Sequence, residues 1–242
     1  MKNKSYIGIS FIILVFGIWF VPKIIKRISN GTVVQNDRLN VSEDGNGKDS
    51  GLFVVGNVPN FTLTNQDGAT ITQDFYKGKV YVLEFFFSTC PSICPIMNQN
   101  LLTVQREFAA DRDFGIASIT INPEFDTPQV LKEHKKYLGI TSANWQFLTG
   151  DKKYIHNLAN TGFKIFAGEN DSAPGSFEHS GLYALVDRDG HIRCRLDETG
   201  NPIMYYSGLN YSDPDGLEQD ARGKYKPGVD AIKKDIKKLL EE

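Results

Sequence analysis

The stretch KVYVLEFFFSTCPSICP, Lys79–Pro95, decides how the rest of the chain is read. From Val80 to Phe87 it is apolar at every position except Glu84. Such a continuous run, rather than strict alternation, marks a strand covered on both faces, as in the centre of a parallel sheet. Two cysteines follow, Cys90 and Cys94, held four apart and each followed by proline. Proline is disfavoured deep in a helix but favoured at its first position, so Pro95 predicts a helix start with Cys94 at its edge. Met97, Leu101, Leu102, Val104 and Phe108 then recur at helical spacing, which predicts a helix to about Arg112. The cysteines therefore sit where a central strand hands over to a long helix. In open α/β sheets that carboxyl end is the usual place for a site.

Working outward, strand and helix signals alternate. NFTLTNQDGATIT (60–72) predicts a hairpin with Asp67-Gly68 in its turn. FGIASITI (114–121) and WQFLTG (145–150) predict two further buried strands, and TPQVLKEHKKYLG (127–139) and DKKYIHNLANTG (151–162) predict helices. SGLYALVDRDGHIRCRL (180–196) predicts two strands around Asp189-Gly190. From Asp197 onward turn formers dominate, which predicts a loop or insertion to about Lys226, and GVDAIKKDIKKLLEE (228–242) predicts a closing amphipathic helix. Strands alternating with helices imply a layered α/β domain, starting near Phe53 and running to Glu242.

Tyr6–Val21 is free of charge over 16 residues, slightly short of the ~20 that span a bilayer core. Ile24 and Ile25 with snorkelling Lys23 and Lys26 extend it. No small-residue cleavage site and no lipid-accepting cysteine follow it, so residues 1–28 are expected to form an uncleaved anchor with a transmembrane segment at about 6–22. Residues 29–52, rich in Gly, Asn, Asp and Ser, are expected to form a flexible linker. The first 35 residues hold five basic groups and no acid, leaving 22 basic against 29 acidic beyond them. That balance argues against a nucleic-acid partner.

Three chemistries fit the cysteine pair. A static disulfide would close a tiny loop and gain little entropy. A helix N-terminus favours thiolate, which serves disulfide exchange and metal binding alike. The four-residue spacing gives a wider bite than C-x-x-C and leans toward chelation of a soft ion, Cu(I) above all, with Zn(II) as the other candidate. A third ligand would be needed. His134 and His156 lie in polar helix sequence and His191 in a hairpin turn, all three expected to face solvent. His179, in APGSFEHSGLYALV, ends a Gly/Pro loop beside a buried strand and is the candidate ligand. Cys194 alternates with Ile192 and Leu196 and is expected to be a core residue. Glu84 either faces solvent, pairs with a lysine, or lies buried beneath the cysteines, which would strengthen the redox reading.

FFFSTCPSICP, then ITINPEFDTPQVLKEH, then FEHSGLYALVDRDG resemble the Sco/SenC copper-binding proteins, in order, over roughly Val58–Leu196 plus the final helix. The resemblance implies a thioredoxin-like α/β fold on a single N-terminal anchor. It implies copper held by Cys90, Cys94 and His179, as Cu(I) or Cu(II). It further implies a role in assembling the binuclear copper centre of cytochrome c oxidase, as metallochaperone, as thiol reductant of the oxidase subunit, or both. The partners would be that copper-accepting subunit and other envelope copper chaperones or thiol reductants. The setting would be the outer face of a bacterial cytoplasmic membrane. The alternative is a metal-free thiol–disulfide oxidoreductase acting through Cys90 and Cys94. Departures from the family pattern are Asn122 where an aspartate is common, Thr89 where histidine is common, and a longer stretch at 197–226.

Overall fold

The strand β4 (Val80–Phe86) is buried at every position, as its apolar run requires. It lies between β5 (Phe114–Thr120), parallel to it, and β9 (Leu182–Val186), antiparallel to it. The computed structural model describes residues 51–196, 201–209 and 228–242, and scattered helical positions between 10 and 22. The sheet runs β1-β10-β9-β4-β5-β6-β2-β3, where β1 is Phe53–Asn57, β2 Thr62–Asn65, β3 Thr70–Thr72, β6 Trp145–Thr149 and β10 His191–Leu196. Among the described strands only β4, β5 and β6 are parallel neighbours, joined by helical crossovers; the other pairings are antiparallel.

The helices cover the sheet with the faces their sequences supply. α1 (Cys94–Glu107) turns Met97, Leu101 and Val104 inward. Its first turn is tied to the sheet by Tyr183, whose hydroxyl donates to the Met97 carbonyl at 2.7 Å. α2 (Pro128–Tyr137) starts after Thr127, whose hydroxyl accepts from the Val130 amide. α3 (Lys152–Asn157) is capped by Asp151 and continues as a π-helical stretch, Leu158–Phe163, ended by Lys164 in the left-handed region. α4 (Gly228–Glu241) buries Val229, Ile232, Ile236 and Leu239. Full burial of each such side chain contributes roughly 2 kcal/mol.

Several expectations need adjustment. Leu52, assigned to the linker, is buried, so the folded part begins slightly before Phe53. β7 (Ala167–Glu169) and β8 (Phe177–His179) form a separate two-stranded sheet, so His179 ends a strand rather than a loop. The supposed loop after Asp197 is partly ordered: β11 (Pro202–Ile203) pairs with β10 and β12 (Tyr206–Ser207) with β9. The reason is packing, since Tyr206 is buried and its hydroxyl donates to Asp235 of α4 at 2.9 Å. Gly228 passes so close to Ser207 that a Cβ would lie 2.5 Å from its carbonyl oxygen, which only glycine tolerates. Positions 197–200 and 210–227 lie outside the described residues, as does most of the expected anchor and linker. Among the described residues no helix is long and apolar enough to cross a membrane.

Candidate metal centre

Cys90, Cys94 and His179 meet at the carboxyl end of β4. Their ligand atoms all lie within 4.8 Å of one another, and each residue is buried. The elements explain the meeting. β4 ends at Phe86, and a turn closed by the Cys90 amide donating to the Phe87 carbonyl at 3.2 Å sets Cys90 beside α1. Cys94 is the first residue of α1, with Pro95 in the first turn as predicted. His179 ends β8, where it pairs with Ala167, so the two-stranded sheet delivers the imidazole rather than a mobile loop. Phe87 packs edge-on against His179 with centroids 6.0 Å apart.

The pair is electrostatically divided. Cys94 Sγ and His179 Nε2 are in hydrogen-bonding contact at 3.2 Å. The neighbouring Cys94 thiol is the main cause that pulls the Cys90 thiol well below its ordinary value; His179 adds to it against the opposing effect of burial. Cys94 is pushed upward by the neighbouring Cys90 and by burial. The environment thus favours the thiolate on Cys90 over Cys94. A thiolate is both nucleophile and metal ligand.

The sequence matches the SCO1/SenC family over residues 55–210. The chain belongs to that family. A SCO1 protein homolog of Bacillus subtilis (strain 168) is 32% identical over 134 residues, covering 54% of this chain and 69% of that one. The structure of BsSco, a member of the Sco family of cytochrome c oxidase assembly proteins in which a disulfide switch is identified, covers 77% of this chain and 95% of that chain with a TM-score of 0.59 at 26% identity. ScoI of Bradyrhizobium japonicum with copper bound covers 76% of this chain and 99% of that chain, with a TM-score of 0.55 at 22% identity, a likeness of fold.

Within this SCO1/SenC domain, Glu84 neither faces solvent nor pairs with a lysine. It is wholly buried, and Ser118 donates to its Oε1 at 2.7 Å. Ser118 in turn accepts from the Trp145 indole at 2.9 Å. The other carboxyl oxygen has no hydrogen-bond partner among the described residues. Burial lifts Glu84 to about 8, with the Ser118 bond pulling the other way. When ionised, Glu84 adds a small upward push to Cys94.

The remaining histidines stay away from the centre but are less exposed than expected. His134 is half-buried, stacked on Phe86 and edge-on to Phe147, and burial lowers its pKa. His156 donates to the Ile121 carbonyl at 2.8 Å. His191 is half-exposed, 3.4 Å from Asp187. An imidazole carries an apolar body as well as a polar tip, so a helix that is polar by composition can still tuck it against aromatics. Cys194 is buried and free, as expected, and its thiol is raised to about 11 by burial.

Sequence reasoning missed the work of Asp126. Its carboxyl group is wholly buried and accepts from the Ser88 amide at 3.1 Å, and from the hydroxyls of Ser88 and Thr120 at closer range. The signal was present in the retained D-T-P of the family pattern, yet nothing local says that this carboxyl reaches Ser88. Asn122, the departure from the pattern, serves here through its backbone, its carbonyl accepting from the Asp126 amide at 2.9 Å.

Proposed function

We propose that this protein is a membrane-anchored copper-binding protein that assists assembly of the binuclear copper centre of cytochrome c oxidase. It would act as a copper donor, as a thiol reductant of the oxidase subunit, or as both. The observation that carries this is the convergence of two cysteine sulfurs and one imidazole within 4.8 Å in a buried site. Soft thiolates select Cu(I), and imidazole suits copper in either oxidation state. Burial suits a cargo ion that must be kept from solvent and handed over to a second protein. Copper in ScoI and the oxidase role stated for BsSco are properties of relatives that support the same assignment here.

The apolar run Tyr6–Val21 supports an N-terminal anchor, and the cargo and client support a domain on the outer face of a bacterial cytoplasmic membrane. The test is a chelator-controlled copper titration of the reduced full chain. One copper per chain is expected, lost on Cys90→Ala or Cys94→Ala and strongly weakened on His179→Ala. Equal binding by parent and His179→Ala would overturn the three-ligand assignment.

A second reading, metal-free thiol–disulfide exchange, is favoured by the buried Glu84 and by the thiolate character of Cys90. In that reaction the Cys90 thiolate attacks a client disulfide and releases one client thiolate. Cys94, on losing its proton, then displaces the second, so the client gains two thiols and this chain a disulfide. Exchange that survives His179→Ala while copper binding falls would show both capacities in one pair.

A further inference from the structure

We propose that Asp126 is a positioning residue for the cysteine–histidine centre, fixing Cys90 by holding the turn on which it is carried. The proposal rests on the reading of Cys90, Cys94 and His179 as one functional site.

The geometry is specific. The turn Phe87–Cys90 is closed by the Cys90 amide donating to the Phe87 carbonyl, which leaves Ser88 and Thr89 as its central residues. Ser88 is the residue that Asp126 grips, by its amide on one carboxyl oxygen and by its hydroxyl on the other. Thr120 supplies the third donor. Its hydroxyl oxygen already accepts from the Asn122 amide at 3.0 Å, so its proton is free for Asp126. One carboxyl thus collects three donors from two segments, at the end of β5 and beyond β4. Among the described residues no cation pairs with it, so its partners are these donors alone.

The turn it holds reaches both Cys90 and His179. Cys90 is covalently part of it. Phe87 packs against His179 and also lies 5.5 Å, centroid to centroid, from Phe177 of the same strand. From the other side Gly175, with φ 79°, presses on the turn so closely that a Cβ would stand 2.8 Å from the Phe87 ring and 3.4 Å from Pro91. The turn is therefore clamped between the β7–β8 sheet and Asp126. Loosening Asp126 frees Ser88 and widens the spread of Cys90 relative to the other two ligands.

Asp126→Asn keeps the volume but turns one acceptor into a donor facing donors, an arrangement that cannot keep all three bonds. In the full chain we expect Cu(I) held at least tenfold more weakly in competition with a chromophoric chelator, and a changed Cu(II)–thiolate charge-transfer band. In a dithiothreitol redox buffer, where the two thiols yield two protons and two electrons to oxidised dithiothreitol, the disulfide should be about tenfold easier to reduce, ~30 mV. Ser88→Ala should shift all three readouts in the same direction by less. Asp235→Asn, a buried acid in α4, should lower stability and leave all three unchanged.

Loss of stability in Asp126→Asn with the band, affinity and potential of the parent would overturn the proposal. If Asp126→Asn does not fold, Ser88→Ala decides, and parental values in it overturn the proposal equally. A parent that takes up no copper would defeat the metal reading, not this one. The disulfide potential then decides alone, supporting the proposal if it moves and overturning it if it does not.

Discussion

Glu84 and Asp235 are both acids with no exposure to solvent, yet the molecule treats them in opposite ways. Asp235 is matched on all sides: Arg195 approaches it through two nitrogens, the Tyr206 hydroxyl donates to it, and Lys238 lies 3.4 Å away. It fastens α4 to β10 and β12. Among the described residues Glu84 has a single donor, Ser118, one oxygen without a partner, and no cation. It sits in the strand that ends at the thiols. A buried polar group left under-satisfied costs stability, so its persistence needs a reason outside stability. The buried acid is matched by cations where the sheet meets its last helix, and is held protonated by burial where the chemistry sits.

The comparison breaks first at the cysteines. Cys90→Ser should cost at least a thousandfold in Cu(I) affinity, ~4 kcal/mol, in the same chelator competition, with unfolding little changed. Arg195→Ala should do the reverse. It leaves buried Asp235 with only the Tyr206 hydroxyl and the half-exposed Lys238, and should lower the urea unfolding free energy by about 3 kcal/mol while copper affinity stays within threefold of the parent. Loss of copper affinity in that variant would erase the distinction between the two regions.

Glu84→Gln sharpens it through pH. Because the folded-state value of Glu84 lies near 8 and its ordinary value is 4.5, the folded chain keeps a proton that the unfolded chain releases between them. Stability should therefore fall as pH rises from about 4.5 to 8, by on the order of a few kcal/mol at most. Glu84→Gln should remove that part of the slope, and an unchanged difference between parent and variant across the window would contradict it. The smallest effect belongs to neither region: Asp151→Ala removes the acceptor for the Tyr154 amide at 2.7 Å and should cost about 1 kcal/mol, with copper binding untouched.

Much of this was legible in the chain. β4 announced itself because a strand covered on both faces has no polar alternation, and Pro95 marked the helix start beside Cys94. The ligand set was legible only in part. Spacing placed Cys90 and Cys94 together, but His179 lies 85 residues from Cys94, and no local pattern states that distance in space. β7 and β8, three residues each, are too short for periodicity to show, so the sheet that delivers His179 read as loop. Tyr206 and Asp126 were hidden for a related reason. Their partners lie on elements distant in sequence, Asp235 and Ser88, so turn-forming composition masked one and solvent-like chemistry the other. The buried state of Glu84 is one of three readings its sequence allows, and only the sheet order, with β5 and β9 on either side, decides it.

The most direct test of the central claim is X-ray absorption at the copper edge of the loaded full chain, compared with His179→Ala. Two sulfur donors and one nitrogen donor around Cu(I) are predicted, with the nitrogen lost in the variant. A shell lacking two sulfurs, or a spectrum unchanged by His179→Ala, would contradict the assignment of Cys90, Cys94 and His179 as the copper site.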